Sequence, residues 1–311
     1  MSNSIPFISD QQISEALDYR SVAAVLDEAF ASLAAAGAAV HRRQRTDCRD
    51  LRLSTMGAVW ADRGVGGVKV YPTVRGQFSF SILLFDLASN RPLALLDGNE
   101  LTRLRTAAIT TLVASKAAAQ RPRKLALFGT GLQGRAQADA LCGWFGFEEI
   151  ALVDPAGDTA WGQALAVRTG CRVAFTTAEA AVRGADIVVT ATRSSTPVFD
   201  GAWLAPGAFV SAIGTSTPKG RELDDATMDR AGRIIVEWKP QSLEEAGEVV
   251  LWPGRSANSP FIDLPQLYAG EAPWRPAGPA ITLFKSVGIG LADVAVAQLA
   301  VSRILHAGAQ S

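Results

Sequence analysis

Near the start of the chain, apolar residues recur at helical spacing. In "QQISEALDYRSVAAVLDEAFASLAAAG", Ile13, Leu17, Val22, Val25 and Leu26 share one face. Ser9 and Asp10 offer caps ahead of the run and Gly37 ends it, so the pattern predicts one long helix. The texture then shortens to strand-like pieces, "LRLSTMGAVW", "GGVKVYPT", "FSFSILLFD" and "PLALLDG", separated by turns containing Gly, Asn and Pro. They read as an antiparallel meander, and the region up to about residue 100 as an α+β domain without parallel crossovers.

From about Asn99 the pattern changes again. "NELTRLRTAAITTLVASKAAA" is helical, and strands then alternate with helices: "KLALFG", "EIALVD", "CRVAFT", "DIVVTAT", "AFVSAIG" and "RIIVEW". Each strand is a near-continuous apolar run, as a parallel sheet covered on both faces requires. "VVLWPGRSANSPFIDLPQLYAGEAPWRPAG" is rich in Pro and Gly and reads as an irregular excursion. "ITLFKSVG" and a last helix close the chain, and that helix is expected to return to the first domain.

Composition narrows the function classes. The 311 residues include 30 basic and 30 acidic side chains, and 48% are hydrophobic, enough apolar material for about two domains. A neutral balance argues against a nucleic-acid or anionic-membrane surface. Cys48, Cys142 and Cys171 are scattered, which fits reduced thiols better than a disulfide framework. With only His41 and His306, and no cluster of ligand types, no metal site is expected. His41 reads as a surface residue and His306 as a cation at a helix end. "MSNSIPFISDQQIS" lacks the charged-then-apolar pattern of a signal peptide, and Asp293, Gln298 and Arg303 interrupt the most apolar late stretch. A soluble, cytoplasmic protein is expected.

One stretch carries a recognisable chemistry. "KLALFGTGLQGRAQADAL" places Gly129-Thr130-Gly131-Leu132-Gln133-Gly134 between an apolar strand and a helix, the context in which G-x-G-x-x-G binds a dinucleotide. Gly129 permits the tight turn, Gly131 the approach of a pyrophosphate, and Gly134 close helix–strand packing. Asp154 ends the next strand about twenty residues further on, where a ribose-binding acid is expected. Its charge favours NAD over NADP, and Pro155-Ala156-Gly157 bring no arginine for a 2′-phosphate; NADP stays possible. Thr190, Ala191, Thr192, Gly214, Val287 and Gly288 fall at strand ends where the nicotinamide is expected.

Several cations sit among small or apolar residues: Lys69 in "GGVKVYP", Arg105 in "RTAAITTL", and Arg45 in "RRQRTDC", just before the first strand. A buried cation needs a partner. An internal carboxylate such as Asp97 and an anionic substrate are both open at this point. Met56 edges a substrate pocket or packs in the core, and Trp203, Trp252 and Trp274 stand equally open.

"DGNELTRLRTAA", "LFGTGLQGRAQ", "TATRSSTPVFDGAWLAPGAFVSAIGTSTP" and "TLFKSVGIGLADVAVAQ", in this order, resemble the ornithine cyclodeaminase/mu-crystallin family over nearly the whole chain from about Arg45. The resemblance implies an α/β architecture: a Rossmann-type doubly wound parallel sheet domain, residues 111–289, and an α+β substrate-binding and dimerisation domain. The latter comprises residues 1–110 and is completed by the C-terminal helix, 290–311. It also implies a homodimer, a nicotinamide cofactor, and a small amino- or imino-acid substrate whose carboxylate meets Arg45, Lys69 and Arg105. Arg42 and Arg43 compete with Arg45 in an ungapped reading.

In the cyclodeaminases, the resemblance places an aspartate two residues past the glycine of the "IG" loop. Here, in Gly214-Thr215-Ser216-Thr217-Pro218, that position is Ser216. A serine is neutral near pH 7 and cannot be that base. Glu222 lies further along and reads as the start of a helix, where a carboxylate suits the dipole. The expected activity is therefore NAD(P)-dependent reduction of small cyclic imino acids such as Δ1-pyrroline-2-carboxylate, reversible as an amino-acid dehydrogenase. Lys69 would stand near the reacting C–N bond, with Ser216 positioning water or substrate. The alternatives are ornithine cyclodeamination, alanine dehydrogenation, and non-catalytic binding of ligand and dinucleotide.

Overall fold

The computed structural model describes residues 4–305, so His306 lies outside the described residues. The chain forms two compact units, one of residues 4–109 with 288–305 and one of residues 110–287.

The first unit contains β1 (Phe7–Ile8), α1 (Asp10–Ala16), α2 (Tyr19–Ala34), β2 (Ala38–Cys48), β3 (Leu51–Trp60), β4 (Val65–Val74), β5 (Gln77–Phe78), β6 (Ser81–Asp86) and β7 (Arg91–Asp97). The α3 helix (Asn99–Ala117) then carries the chain into the second unit, and the closing helix, Gly290–Ile304, returns it. The long helix expected at the start is two. Leu17 is extended, and Asp18 caps α2 by accepting from Ser21 N at 2.9 Å. Ile13, Leu17, Val22, Val25 and Leu26 are nevertheless all buried, because the break keeps both apolar stripes on the core.

The sheet order is β1-β7-β6-β4-β3-β2, with β5 paired to β4. The meander from β2 to β7 is antiparallel, but β1 pairs parallel with β7, contrary to the expectation of no parallel crossover. A two-residue strand is too short to carry a periodic signal. A second correction concerns Arg45, which lies inside β2 and not before the first strand. A register shift between His41 and Gln44 sets Arg42 and Arg43 together opposite Met56, which re-phases the alternation and hides the strand.

Ser54, Met56, Ala58 and Trp60 of β3, Lys69 of β4, and Ile82 and Leu84 of β6 form the inner face. The closing helix packs across this sheet and against α2. Gly290 is required there, because a Cβ would overlap the backbone of Gly57. Leu291, Val294 and Val296 are fully buried in the process, each worth ~1.5–3 kcal/mol. The outer face leaves Phe7, Leu53, Val59 and Leu95 exposed.

The second unit holds β8 (Lys124–Phe128), α4 (Leu132–Cys142), β9 (Glu149–Val153), α5 (Thr159–Thr169), β10 (Arg172–Phe175), α6 (Ala178–Val182), β11 (Ile187–Thr190) and β12 (Phe209–Ala212). It continues with α7 (Asp225–Arg230), β13 (Ala231–Val236), α8 (Lys239–Glu245), α9 (Gly247–Val250), β14 (Phe261–Asp263), α10 (Leu264–Tyr268) and β15 (Ile281–Lys285). All eight strands are parallel, in the order β10-β9-β8-β11-β12-β15-β13-β14. The strand order reverses between β8 and β11, the switch point where such sheets bind ligands beyond their carboxyl ends.

The stretch read as an irregular excursion supplies the edge strand β14 and α10, with Asp263 capping that helix. β15, late in sequence, inserts between β12 and β13. Trp252 is buried and donates from Nε1 to Asp229 at 2.8 Å, while Trp274 packs edge-on to Tyr268. Among the described residues no helix is long and apolar enough to cross a membrane.

Candidate functional site

The loop after β8 is built around its glycines, for different reasons. Gly129 has φ 87°, a conformation L side chains rarely adopt, and a Cβ there would lie 2.6 Å from the Ala191 carbonyl oxygen. At Gly134 a Cβ would overlap the carbonyl oxygen of Gly129. Gly131 is extended, at φ −72°, and a Cβ there would meet nothing within 4 Å. Nothing inside the protein demands a glycine at 131. The open space above it, at the N-terminus of α4, suits a pyrophosphate approaching the backbone. The residues present therefore fit a dinucleotide, with Thr130, exposed Leu132 and half-buried Gln133 completing the loop.

Asp154 follows β9. Its Oδ2 accepts from Thr130 N and Oγ1, both at 2.7 Å, and its Oδ1 from Ala156 N at 2.9 Å. Burial works to raise its pKa, but these bonds and the nearby Arg135 hold it below the usual carboxylate range. Pro155, Ala156 and Gly157 bring no arginine, but Arg135 stands near Asp154. It reaches over from α4, donates to the Thr130 carbonyl at 2.9 Å, pairs with Asp158 at 2.9 Å and stacks over Trp161 at 5.0 Å.

The ends of β11 and β12 are tied together by Glu222, which begins no helix; α7 starts at Asp225. Glu222 is fully buried and accepts from Thr190 Oγ1 (2.9 Å), Thr192 N and Oγ1 (2.7 Å each) and Gly214 N (2.7 Å). Two strand-end loops thus share one carboxylate, and Ala191 packs on Gly129. Beneath the next residue lies a fully buried ion pair. Lys285 Nζ stands 2.9 Å from Glu248 Oε2, off the line of a directed hydrogen bond, and donates to the Thr215 carbonyl at 2.7 Å. Glu248 Oε1 accepts from Thr215 Oγ1 and Glu222 N. The pair fixes the root of the loop on which Ser216 is exposed.

The first unit holds the cations. Lys69 Nζ donates to Asp293 Oδ1 at 2.7 Å, and Arg105 Nε donates to the same oxygen at 3.2 Å. The carboxylate partner is therefore Asp293, from the closing helix, and not Asp97, which accepts from Asp10 N. Arg43 donates to Met56 Sδ at 3.5 Å and to the Gly288 carbonyl at 3.4 Å. A Cβ on Gly288 would lie within 3.1–3.3 Å of the guanidinium nitrogens of Arg105 and Arg43. Burial, with Arg105 and Arg43 adding to it, outweighs Asp293 and lowers the Lys69 pKa from 10.5 to about 7.

Of the sequence-derived residues, Lys69, Arg105 and Met56 come together here, joined by Arg43 and Asp293. Arg45 is half-buried on the same sheet face, opposite Ser54. Gly288, expected near the nicotinamide, lies in this cluster, whereas Val287 belongs to the second unit and donates its N–H to Glu237 at 2.9 Å. His41 is exposed, and no group of described residues has the make-up of a metal site.

Residues 7–308 match the model of the ornithine cyclodeaminase/mu-crystallin family. The ketimine reductase mu-crystallin of Mus musculus is 32% identical over 219 residues, 70% of this chain and 67% of that protein. The structure of a probable ornithine cyclodeaminase from Bordetella pertussis Tohama I superposes with a TM-score of 0.94 at 43% identity, covering 98% of both chains. Thermococcus litoralis Δ1-pyrroline-2-carboxylate reductase, solved with NADH and L-proline, gives a TM-score of 0.91 at 25% identity over 98% of both chains.

Proposed function

The chain belongs to the ornithine cyclodeaminase/mu-crystallin family, and we propose that within it this oxidoreductase reduces small cyclic imino acids of the Δ1-pyrroline-2-carboxylate type and runs in reverse as an amino-acid dehydrogenase. The observation that carries the reading is Lys69: an amine fully buried among Arg105 and Arg43, with a pKa near 7. Arg105 and Arg43 press on it and Asp293 partly offsets them, and a cationic cluster of this kind suits a substrate carboxylate. Arg105, with Arg43 or Arg45, holds that carboxylate; each charge-assisted bond contributes ~1.5–3 kcal/mol.

A reduced dinucleotide held by the glycine loop would supply the hydride that the α-carbon of the C=N bond accepts. The Lys69 ammonium gives the imine nitrogen its proton, leaving a secondary amine and a neutral lysine, which solvent reprotonates. A group with a pKa near the working pH suits both directions, as donor in reduction and acceptor in oxidation. Gly129 to Gly134 and the α4 N-terminus hold the pyrophosphate, Asp154 the ribose hydroxyls, and Thr190 to Thr192, Gly214 and Val287 the nicotinamide end. Asp154, charged and already engaged by Thr130, favours NAD, while Arg135 is held by Asp158. Ser216 positions water or substrate.

The 43% identity to the Bordetella protein favours ornithine cyclodeamination as a second reading. Against it stands Ser216, whose hydroxyl cannot do the work of an aspartate base, while Glu222 is buried and fully engaged in tying strand ends. We place the reaction in the cytoplasm, supported by three free cysteines, and the chain in a homodimer, supported by the exposed Phe7, Leu53, Val59 and Leu95 on the outer sheet face. The test is the loss of reduced-nicotinamide absorbance on mixing the protein with NADH, then NADPH, and Δ1-pyrroline-2-carboxylate, with L-ornithine and NAD alongside. Oxidation with the imine and silence with ornithine are expected; turnover of ornithine alone overturns the reading.

A further inference from the structure

We infer that Asp293, on the first turn of the closing helix, is a positioning residue for Lys69: its carboxylate fixes where the ammonium lies and keeps it charged in a site that otherwise favours the neutral amine. The inference rests on the reductase reading and names a residue that reading does not use.

The geometry is asymmetric in a way a simple surface pair is not. Asp293 Oδ1 takes both cations, Lys69 at 2.7 Å and Arg105 at 3.2 Å. Its Oδ2, also buried, accepts no hydrogen bond from the described residues. The carboxylate is thus committed through one oxygen to Lys69 and Arg105 together, and this shared acceptor sets their spacing. Both positions are nearly closed to solvent, with side-chain exposures of 2% for Lys69 and 1% for Asp293, so water screens little of the attraction.

The elements packed against Lys69 each bring a group to it. The closing helix brings Asp293; α3 brings Arg105 and Thr102, whose Oγ1 is 3.5 Å from Nζ; β2 brings Arg43. The Phe80 ring lies 4.8 Å from Nζ, and Met56 and Ile82 flank Lys69 in register on β3 and β6. Of these groups only Asp293 is anionic. Loss of the Asp293 charge therefore leaves Lys69 with burial and two like charges, all of which drive off its proton.

The experiment is the pH profile of kcat/KM for imine reduction by Asp293→Asn, beside the native protein. Reduction needs the Lys69 proton, so activity falls as pH rises through the Lys69 pKa. In Asp293→Asn this alkaline fall is expected ~1–3 pH units lower, the range an adjacent opposite charge commands, with NADH binding by fluorescence retained. An alkaline limb at the native pH overturns the inference, even if the rate falls. Should Asp293→Asn not fold, Asp293→Glu carries the test: with the charge kept but displaced by one methylene, the limb stays near its native pH while kcat drops. A Glu variant with native kcat overturns it. If the native protein turns over no imino acid, the functional reading fails and not the role of Asp293.

Discussion

Replacing Lys69 with methionine separates a catalytic amine from a structural one through stability as well as rate. A displacement of the Lys69 pKa from 10.5 to about 7 means the fold disfavours its charged form by something on the order of 5 kcal/mol. At or below pH 7 both native and unfolded chains carry the proton, and the native state bears that cost in full. Between pH 7 and 10.5 the native chain sheds the proton while the unfolded chain keeps it, so native stability rises by ~1.4 kcal/mol per pH unit from this group alone. Methionine has similar length and no proton, and Asp293 keeps Arg105 at 3.2 Å. Lys69→Met is therefore expected to be at least as stable as the parent at pH 7, with the difference narrowing toward pH 10. Turnover should fall by ~10²–10⁴, the usual contribution of a positioned proton donor. Urea denaturation of both proteins across pH 6.5–10, without substrate, reads the stability difference directly. A variant less stable by ~3–5 kcal/mol at every pH, as when one partner of a buried ion pair is removed, would refute the reasoning and make Lys69 a structural cation.

Other consequences are more local. Gly131→Ala meets open space and should leave stability within ~0.5 kcal/mol of native while weakening NADH binding in a fluorescence titration; unchanged binding would remove the pyrophosphate from that loop. Gly134→Ala collides with the Gly129 carbonyl and should lower the melting temperature even without dinucleotide. Asp154→Ser should narrow the preference for NADH over NADPH, because it removes the carboxylate that repels a 2′-phosphate while Arg135 stays on Asp158; a constant ratio of kcat/KM values would remove the ribose assignment.

Much of the parallel sheet was legible because its strands are buried on both faces. "KLALF" and "IVVT" admit few other readings, and the glycine loop follows directly from the first of them. β2 was hidden for the opposite reason: it is a polar strand whose alternation is broken at Arg42 and Arg43. The double helix at the start shows how a cap such as Asp18 divides an apolar stripe without changing its period.

The cations Lys69 and Arg105 were visible from their apolar neighbours, but their partner was not. Asp293 lies 224 residues from Lys69 and reads as a charge interrupting an apolar helix. Glu222 posed the same difficulty, since it reads as the start of a helix until the strand ends are seen to converge on it. Arg135 is not legible from the residues that follow Asp154, because it arrives from α4. An acid flanked in sequence by small and apolar residues, as in "GLADVA", is a signal that could have pointed to Asp293.

The most direct measurement follows the hydride. Incubating the protein with Δ1-pyrroline-2-carboxylate and NADH deuterated at C4 of the nicotinamide, on the transferred face, should give proline one mass unit heavier, with deuterium at the α-carbon. Proline arising only from ornithine with release of ammonia, and no labelled proline from the imine, would contradict the account.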